Sequence, residues 1–216
     1  MSVRVAVCDY GVGNLRSVER ALVSAGAQPV ITADPSLLSA CDGVVLPGVG
    51  AFSAASERLR ERGLAAAVRA VVESGRPLLG VCLGHQLLFE HSDEGTGGDG
   101  LGLVPGEVTR LRPSSGKVPH MGWNRIHIMR RVPLLDGVDD AAYVYFVHSY
   151  DGHPRNHSDV VATTDHGGAV VAVVQRGNVY GTQFHPEKSG AAGLRVYANF
   201  VQLCTRASMG SAALPA

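Results

Sequence analysis

Among the residues of this sequence, a cysteine between two glycines is the best placed for covalent chemistry. Cys82 lies in the run G-V-C-L-G at residues 80–84, between an apolar segment that predicts a buried strand and a segment with a helical pattern. A sharp strand-to-helix turn exposes a nucleophile, and the amide groups at a helix start favour the thiolate. A small buried thiol is the plain alternative, but the turn favours a nucleophile.

A histidine and a glutamate stand two residues apart in Q-F-H-P-E at residues 183–187, after another apolar run. In an extended chain such residues point to the same side, so His185 and Glu187 can lie edge to edge. A cysteine nucleophile needs a base, and the base needs an acceptor that orients it. Spacing alone allows a surface His–Glu pair equally well. Together with Cys82, the pattern favours a Cys–His–Glu triad.

Two glycines follow a third apolar run, in P-G-V-G at residues 47–50. Loops that follow the strands of a parallel sheet gather at one edge, so we expect this turn beside Cys82. Its backbone can turn N–H groups toward a developing oxyanion. Without that position, the run would predict only a tight turn.

The elements that must position these groups alternate along the first half of the chain. Apolar runs at 3–8, 28–32, 43–46 and 77–81 alternate with helical patterns at 14–26, 51–73 and 83–91, which predicts an α/β fold with a mostly parallel central sheet flanked by helices. Added antiparallel strands are predicted at 107–111, 125–128, 143–147, 160–164, 170–175 and 179–184, before a final helix over about 190–205. We predict one domain over residues 1–207 and a disordered tail over 208–216.

The overall composition excludes several classes of function. The 216 residues carry 19 Lys and Arg against 19 Asp and Glu, so no net charge attracts nucleic acid or a membrane surface. The four cysteines are widely spaced, and the histidines outside 183–187 show no ligand spacing, so no metal site is expected. We expect neither a phosphate-binding loop nor a signal peptide, and no apolar run approaches the roughly 18 residues needed to span a membrane. We therefore expect a cytoplasmic protein without a cofactor.

The motifs resemble those of the class I, triad-type glutamine amidotransferases. GVCLGHQLLF at 80–89 and QFHPEKS at 183–189 carry that resemblance. Four further stretches are similar to the family's glutaminase subunits of imidazole-glycerol-phosphate synthase: DYGVGNLRSV (9–18), LPGVGAF (46–52), PHMGWN (119–124) and YFVHSY (145–150). The resemblance spans residues 3 to about 203 and implies a flavodoxin-like fold. His85 stands where many relatives have methionine, at a position outside the triad.

The resemblance implies hydrolysis of glutamine to glutamate and ammonia. Cys82 would attack the side-chain amide, His185 would shuttle the proton and Glu187 would orient the imidazole. The backbone at Val49 and Leu83 would hold the oxyanion. Four residues would grip the α-amino and α-carboxylate groups of glutamine: Gly50, Gln86, Ser149 and Tyr150.

A partner chain is implied as well. The family's second half-reaction needs a (β/α)8-barrel cyclase of about 250 residues, for which this chain has no room. The resemblance implies a heterodimer with that cyclase subunit, which makes imidazole glycerol phosphate and AICAR from PRFAR in histidine biosynthesis. The subfamily motifs supply five candidate interface residues: Asn14, Met121, Trp123, Tyr145 and Lys188. On sequence alone, Trp123 fits a half-buried core position equally well.

Two alternative functions remain open at this point. The chain could be the glutaminase of another synthase, such as pyridoxal-phosphate synthase, or a non-catalytic relative that senses oxidants through Cys82. Identifying the synthase that co-purifies with the chain distinguishes the first alternative. Testing whether glutamine protects Cys82 from labelling distinguishes the second, because a sensor should show no such protection. We further expect the isolated chain to be a poor glutaminase, because an oxyanion loop with two glycines can rest in an inactive conformation.

Overall fold

The computed structural model describes residues 2–211. Its strands in chain order are β1 (Arg4–Cys8), β2 (Gln28–Thr32), β3 (Gly43–Gly48), β4 (Leu78–Cys82), β5 (Phe89–Ser92), β6 (Gly98–Asp99), β7 (Val104–Arg110), β8 (His120–Arg125), β9 (His127–Ile128), β10 (Tyr143–His148), β11 (Tyr150–Pro154), β12 (Val160–Asp165), β13 (Ala169–Arg176) and β14 (Val179–Thr182). Its α-helices are α1 (Leu15–Ser24), α2 (Pro35–Ser39), α3 (Phe52–Glu61), α4 (Leu64–Glu73), α5 (Leu83–Gln86) and α6 (Gly190–Ser211). Three short 3-10 turns lie at Pro133–Leu135, His157–Asp159 and Pro186–Lys188.

An eight-stranded sheet in the order β2-β1-β3-β4-β14-β13-β12-β9 forms the centre of the fold. The strands from β2 to β14 pair in parallel, and β13, β12 and β9 extend the sheet antiparallel. Every residue of β3 and β4 is buried, as expected for strands covered on both faces. The predicted α/β fold, with a mostly parallel sheet and added antiparallel strands, is confirmed.

Two hydrophobic cores lie on opposite faces of this sheet. Successive side chains of β1 point alternately into one core and into the other. Val5 and Val7 belong to one core, together with residues of α1 and α6. Ala6 and Cys8 belong to the other core, together with residues of α3 and α4. The helices therefore cover the sheet on both sides, and the carboxyl ends of the parallel strands stay free for a site.

Two smaller sheets add to the second half of the chain. One has the order β11-β7-β5-β6, and the other is the two-stranded antiparallel ribbon β10-β8. Residues in the ribbon alternate in burial: Val144, Phe146 and His148 are buried, and the residues between them are at least partly exposed. One face of the ribbon thus packs on the body of the protein, and the other faces outward.

The predicted helix over 83–91 is wrong in its second half. Helix α5 ends at Gln86, and β5 pairs instead with β7 and β6. Phe89 is fully buried at the start of β5, so pairing and burial outweigh the local helical pattern. The strand predicted at 125–128 is also wrong, since β8 and β9 divide it between two sheets.

The elements that the sequence did not predict are mainly short or polar. Helix α2 and strands β6 and β11 belong to this group. Helix α6 extends to Ser211, which lies within the predicted tail, and residues 212–216 lie outside the described part of the chain. Within residues 2–211, no helix combines the length and apolar character needed to cross a membrane.

Candidate active site

Cys82 lies at a strained turn between a buried strand and a short helix. It is the last residue of β4 and comes directly before α5, with φ of 55° and ψ of −108°. A positive φ in a residue with a side chain costs on the order of 1–3 kcal/mol, and such strain is concentrated at functional sites. The sulfur is thereby placed at the carboxyl edge of the central sheet.

The glycines on either side of Cys82 are required by close packing. A Cβ on Gly84 would overlap the carbonyl oxygen of Leu46 in β3. A Cβ on Gly80 would lie 2.8 Å from the carbonyl carbon of Gly84 and 2.9 Å from the Cα of His85. The motif around the cysteine therefore lets α5 fold back tightly against β3 and β4.

A cavity of about 350 Å³ opens beside the sulfur. It brings together most of the residues that the sequence proposed for catalysis and glutamine binding: Val49, Gly50, Cys82, Leu83, Gln86, Ser149, Tyr150 and His185. The remaining triad candidate, Glu187, lies behind His185. The lining includes one thiol and the polar side chains of Gln86, Ser149 and His185, which suits a small polar substrate.

His185 and Glu187 form a buried, directly bonded pair. Nδ1 of His185 lies 2.7 Å from Oε1 of Glu187, and both side chains are 2% exposed. Nε2 of His185 is buried and has no hydrogen-bond partner within residues 2–211, so it is the ring nitrogen left for Cys82. Burial lowers the pKa of His185, but the nearby Cys82 sulfur and the Glu187 carboxylate outweigh it and raise that pKa to about 9. The imidazolium form is favoured, which is the form that pairs with a thiolate.

Gln183 was not predicted as a site residue, and it contacts the sulfur. Its Nε2 donates to Cys82 Sγ at 3.8 Å, and its Oε1 accepts a hydrogen bond of 3.1 Å from Gln86 Nε2. The same Gln86 nitrogen donates to the carbonyl oxygen of Tyr150 at 3.0 Å. These bonds tie the nucleophile, α5 and the start of β11 together. Gln183 is fully buried, and no pattern in the sequence around it indicates its contact with the sulfur.

Tyr10 fixes the backbone of the P-G-V-G turn. Its hydroxyl is buried and donates to the carbonyl oxygen of Pro47 at 2.6 Å. Burial raises the pKa of Tyr10 well above its usual value, so the hydroxyl keeps the proton that it donates. Val49 and Gly50 follow at the exposed end of the turn, with Gly50 at a φ of 105°. One end of the turn is thus anchored, and the other end faces the cavity.

A chain of hydrogen bonds joins the ribbon to the cavity through two histidines. The bonds run from Asn124 Nδ2 to His120 Nε2 (3.1 Å), from His120 Nδ1 to His148 Nε2 (3.0 Å) and from His148 Nδ1 to the carbonyl oxygen of Tyr150 (2.8 Å). Burial lowers the pKa of His120 to about 3 and that of His148 to about 4, so both rings are neutral donors and acceptors. Within residues 2–211, no group of three His, Cys, Asp or Glu residues could hold a metal ion.

Four of the five candidate interface residues, Met121, Trp123, Tyr145 and Lys188, lie on the ribbon or contact it. Trp123 and Tyr145 face each other across β8 and β10 with ring centroids 6.1 Å apart, and Lys188 Nζ lies 5.6 Å from the Tyr145 ring. Met121 is 63% exposed and Trp123 is 55% exposed. The core alternative for Trp123 is therefore wrong. Asn14, which precedes α1, is also exposed.

Comparison with known proteins agrees with the fold and the motifs. The family model "Glutamine amidotransferase class-I" matches residues 6–203. The fold is similar to that of PurLQS from Thermotoga maritima, with a TM-score of 0.71 at 20% identity over 94% of this chain and 99% of that one. The chain therefore belongs to the class I glutamine amidotransferase family.

Two relatives share about half of the residues of the chain. Both carry the name imidazole glycerol phosphate synthase subunit HisH. The protein from Synechococcus sp. (strain JA-3-3Ab) is 50% identical over 208 residues, which cover 95% of this chain and 96% of its own length. The protein from Moorella thermoacetica is 50% identical over 203 residues, which cover 94% and 96%.

Proposed function

We propose that this chain is the glutaminase subunit of an imidazole glycerol phosphate synthase. It hydrolyses L-glutamine to L-glutamate and ammonia and delivers the ammonia to a separate cyclase subunit. The observation that carries the proposal is a sulfur at a strained strand-to-helix turn, in one cavity with a histidine that a buried glutamate holds at 2.7 Å. Residues 1–207 act as one glutamine amidotransferase domain, and the similarity to two HisH subunits over nearly their full length supports the assignment.

The reaction proceeds through a thioester on Cys82. The Cys82 thiolate bonds to the side-chain carbonyl carbon of glutamine, and the carbonyl electrons move to its oxygen. The His185 imidazolium gives its proton to the amide nitrogen as the C–N bond breaks and ammonia leaves. Water then loses a proton to His185 and attacks the thioester, which releases glutamate and returns the sulfur as a thiolate. Glu187 holds the His185 ring in orientation throughout, through the bond to Nδ1.

The cavity supplies the remaining contacts. The backbone N–H groups of Leu83, at the start of α5, and of Val49 are assigned to the oxyanion. Four residues that line the same cavity are assigned to the α-amino and α-carboxylate groups of glutamine: Gly50, Gln86, Ser149 and Tyr150.

The partner docks on the outward face of the β8–β10 ribbon. The partner is the (β/α)8-barrel cyclase. Five residues form this interface: Asn14, Met121, Trp123, Tyr145 and Lys188. Support comes from the position of the ribbon: the carbonyl oxygen of Val147 lies 3.8 Å from Cys82 Sγ, and Val147 pairs with Met121 across the ribbon. Ammonia released at the sulfur therefore starts its path next to the docking face.

Glutamate release, measured with and without the cyclase, tests this function. The full-length chain is assayed alone, with the cyclase subunit of the same organism, and with that subunit plus PRFAR. We expect slow release from the isolated chain and an increase of roughly tenfold or more with the liganded partner, within the usual range of coupling between sites. Full activity of the isolated chain would contradict the dependence on the partner. A lack of glutamate release in all three mixtures would contradict the function itself.

Trp123→Ala tests the docking face. A large exposed aromatic at the centre of an interface typically contributes about 2 kcal/mol or more, which corresponds to roughly a 30-fold weaker Kd for the cyclase. Binding is measured by titration calorimetry with the purified subunits. Met129→Ala is the control, because Met129 is 68% exposed and lies outside the proposed face. Equal affinities of the two variants would remove Trp123 from the interface.

A further inference from the structure

Two buried histidines on the inner face of the β8–β10 ribbon have no step in the proposed reaction. His120 is the first residue of β8 and His148 is the last residue of β10, and the register of the ribbon places them directly opposite each other. Both are nearly inaccessible to solvent. Together with Asn124 they form the row of hydrogen bonds that ends at the carbonyl oxygen of Tyr150. We call these three residues the histidine chain.

Backbone groups fix the direction of the histidine chain at its Asn124 end. The Asn124 Oδ1 accepts from the backbone N–H of Arg125 at 2.8 Å, and its Nδ2 donates to the carbonyl oxygen of Asp165 at 2.8 Å. The side-chain amide is therefore oriented with its nitrogen toward His120 Nε2. That ring nitrogen must accept, and a neutral imidazole has one donor and one acceptor. The proton of His120 thus lies on Nδ1, where it is donated to His148.

The Tyr150 carbonyl fixes the other end. A carbonyl oxygen only accepts, so His148 Nδ1 carries the proton and His148 Nε2 accepts from His120. A second proton on His148 would place two N–H groups against each other at 3.0 Å, and a second proton on His120 would do the same at 3.1 Å from Asn124. The histidine chain is therefore complete only when both rings are neutral and both carry their proton on Nδ1.

The surroundings of the two rings favour this neutral state. Burial is the main cause of the lowered pKa values of His120 and His148, and the neighbouring His166, from the turn between β12 and β13, lowers both further. His185, which follows β14, also lowers the pKa of His148. His85 in α5 lies close enough to His148 to be affected by its charge, and burial keeps His85 neutral as well.

The histidine chain ends at the segment that is assigned to glutamine. The carbonyl oxygen of Tyr150 accepts from His148 Nδ1 at 2.8 Å and from Gln86 Nε2 at 3.0 Å. The preceding carbonyl oxygen, of Ser149, accepts from the amide of Leu111 at 2.9 Å. Loss of the bond from His148 would remove one of the two side-chain donors that hold the Tyr150 carbonyl, and the segment would be less firmly oriented.

We propose that His120 and His148 are positioning residues for the glutamine substrate. As two neutral rings they hold the Tyr150 carbonyl and thereby orient Ser149 and Tyr150 in the cavity. This role rests on the proposed function, which assigns those two residues to glutamine. It predicts that a broken histidine chain weakens glutamine binding, while the chemical steps at Cys82 and His185 continue.

The positions of the two protons can be observed directly by nitrogen NMR of the unmodified, full-length chain labelled in its histidines. We expect both His120 and His148 to carry the proton on Nδ1 and to stay neutral from pH 8 to about pH 5, a range in which free histidine becomes charged. A proton on Nε2 of either ring, or a charged ring within that range, would overturn the proposal. This measurement needs no variant, so it holds even where a substitution prevents folding.

Two variants of His120 test the effect on glutamine, because His120 belongs to the histidine chain and is not part of the cavity lining. His120→Phe keeps a ring that can stack on Phe146, whose centroid lies 4.5 Å from that of His120, but it cannot donate to His148. His120→Asn loses the ring and keeps an N–H group near the position of Nδ1. Glutamine is titrated into the cyclase complex carrying Cys82→Ala, in which turnover is blocked. We expect the Kd to rise roughly tenfold in His120→Phe and less than about threefold in His120→Asn.

The kinetic counterpart uses the same variants with Cys82 in place. The KM for glutamine should rise in His120→Phe, and kcat should change by less than about threefold, since the reacting groups are intact. A merely structural role would instead lower the fraction of active protein and hence kcat. An unchanged KM with a reduced kcat would therefore overturn the proposal.

His166→Phe is the matched control. The His166 ring stacks on His120 with centroids 4.2 Å apart, but its Nε2 bonds to the carbonyl oxygen of Lys117 at 2.7 Å, outside the histidine chain. Its glutamine affinity should be unchanged. Equal weakening in His166→Phe and His120→Phe, or in His120→Phe and His120→Asn, would show an effect of packing and overturn the proposal, as would unchanged affinity in His120→Phe. Absence of glutamine binding in the parent Cys82→Ala complex would instead overturn the proposed function, and this role with it.

Discussion

Replacing Cys82 with alanine is expected to abolish glutamine hydrolysis while leaving the cyclase interface intact. The substitution removes the only atom in the cavity proposed to form a covalent bond with the substrate, and loss of a nucleophile that acts with a base costs on the order of 10⁶-fold in kcat. Glutamate release, measured in the complex with the liganded cyclase, should fall to background. Retained hydrolysis at more than about a hundredth of the original rate would exclude the thioester route.

The controls for this variant are structural and kinetic. Alanine is smaller than cysteine and leaves the close packing of Gly80 and Gly84 unchanged. The midpoint of thermal unfolding should therefore change little. The other half-reaction, supplied with external ammonia, should continue at its normal rate in the variant complex. Cys8→Ala is the matched control: Cys8 is also a buried free thiol, but it is the last residue of β1 and packs in the core with residues of α3 and α4, so its replacement should spare hydrolysis.

The chemical groups could be predicted because each depends on a short local pattern. The turn at Cys82 follows from two glycines that packing requires at 80 and 84, and the His185–Glu187 pair follows from a two-residue offset in extended chain. The parallel strands could be predicted for a similar reason, since wholly buried strands have continuous apolar runs. These features depend mainly on nearby residues and little on contacts with distant parts of the chain.

The groups that support the site could not be predicted, because their contacts join distant segments. Gln183 contacts a sulfur 101 residues away, and Tyr10 holds a carbonyl 37 residues away. No local pattern specifies such pairs. Strand β11 was missed for a related reason: its sequence Y-D-G-H-P has little strand character, and pairing with β7 makes it a strand.

Replacing Glu187 with glutamine is expected to lower kcat by roughly 10³–10⁴-fold with the cavity otherwise unchanged. The carboxylate accepts from His185 Nδ1 at 2.7 Å and stabilises the imidazolium, and an amide of the same shape does neither reliably, because its nitrogen is a donor. Since Glu187 helps to raise the pKa of His185, the variant should also show a lower apparent pKa on the alkaline limb of its pH–rate profile.

Tyr197→Phe is the matched control: its hydroxyl donates only a long bond of 3.5 Å to Glu187 Oε2, and its loss should change kcat by less than about tenfold. An unshifted pH profile together with near-normal kcat in Glu187→Gln would remove Glu187 from the triad, because a purely structural carboxylate has no means to set the protonation of His185.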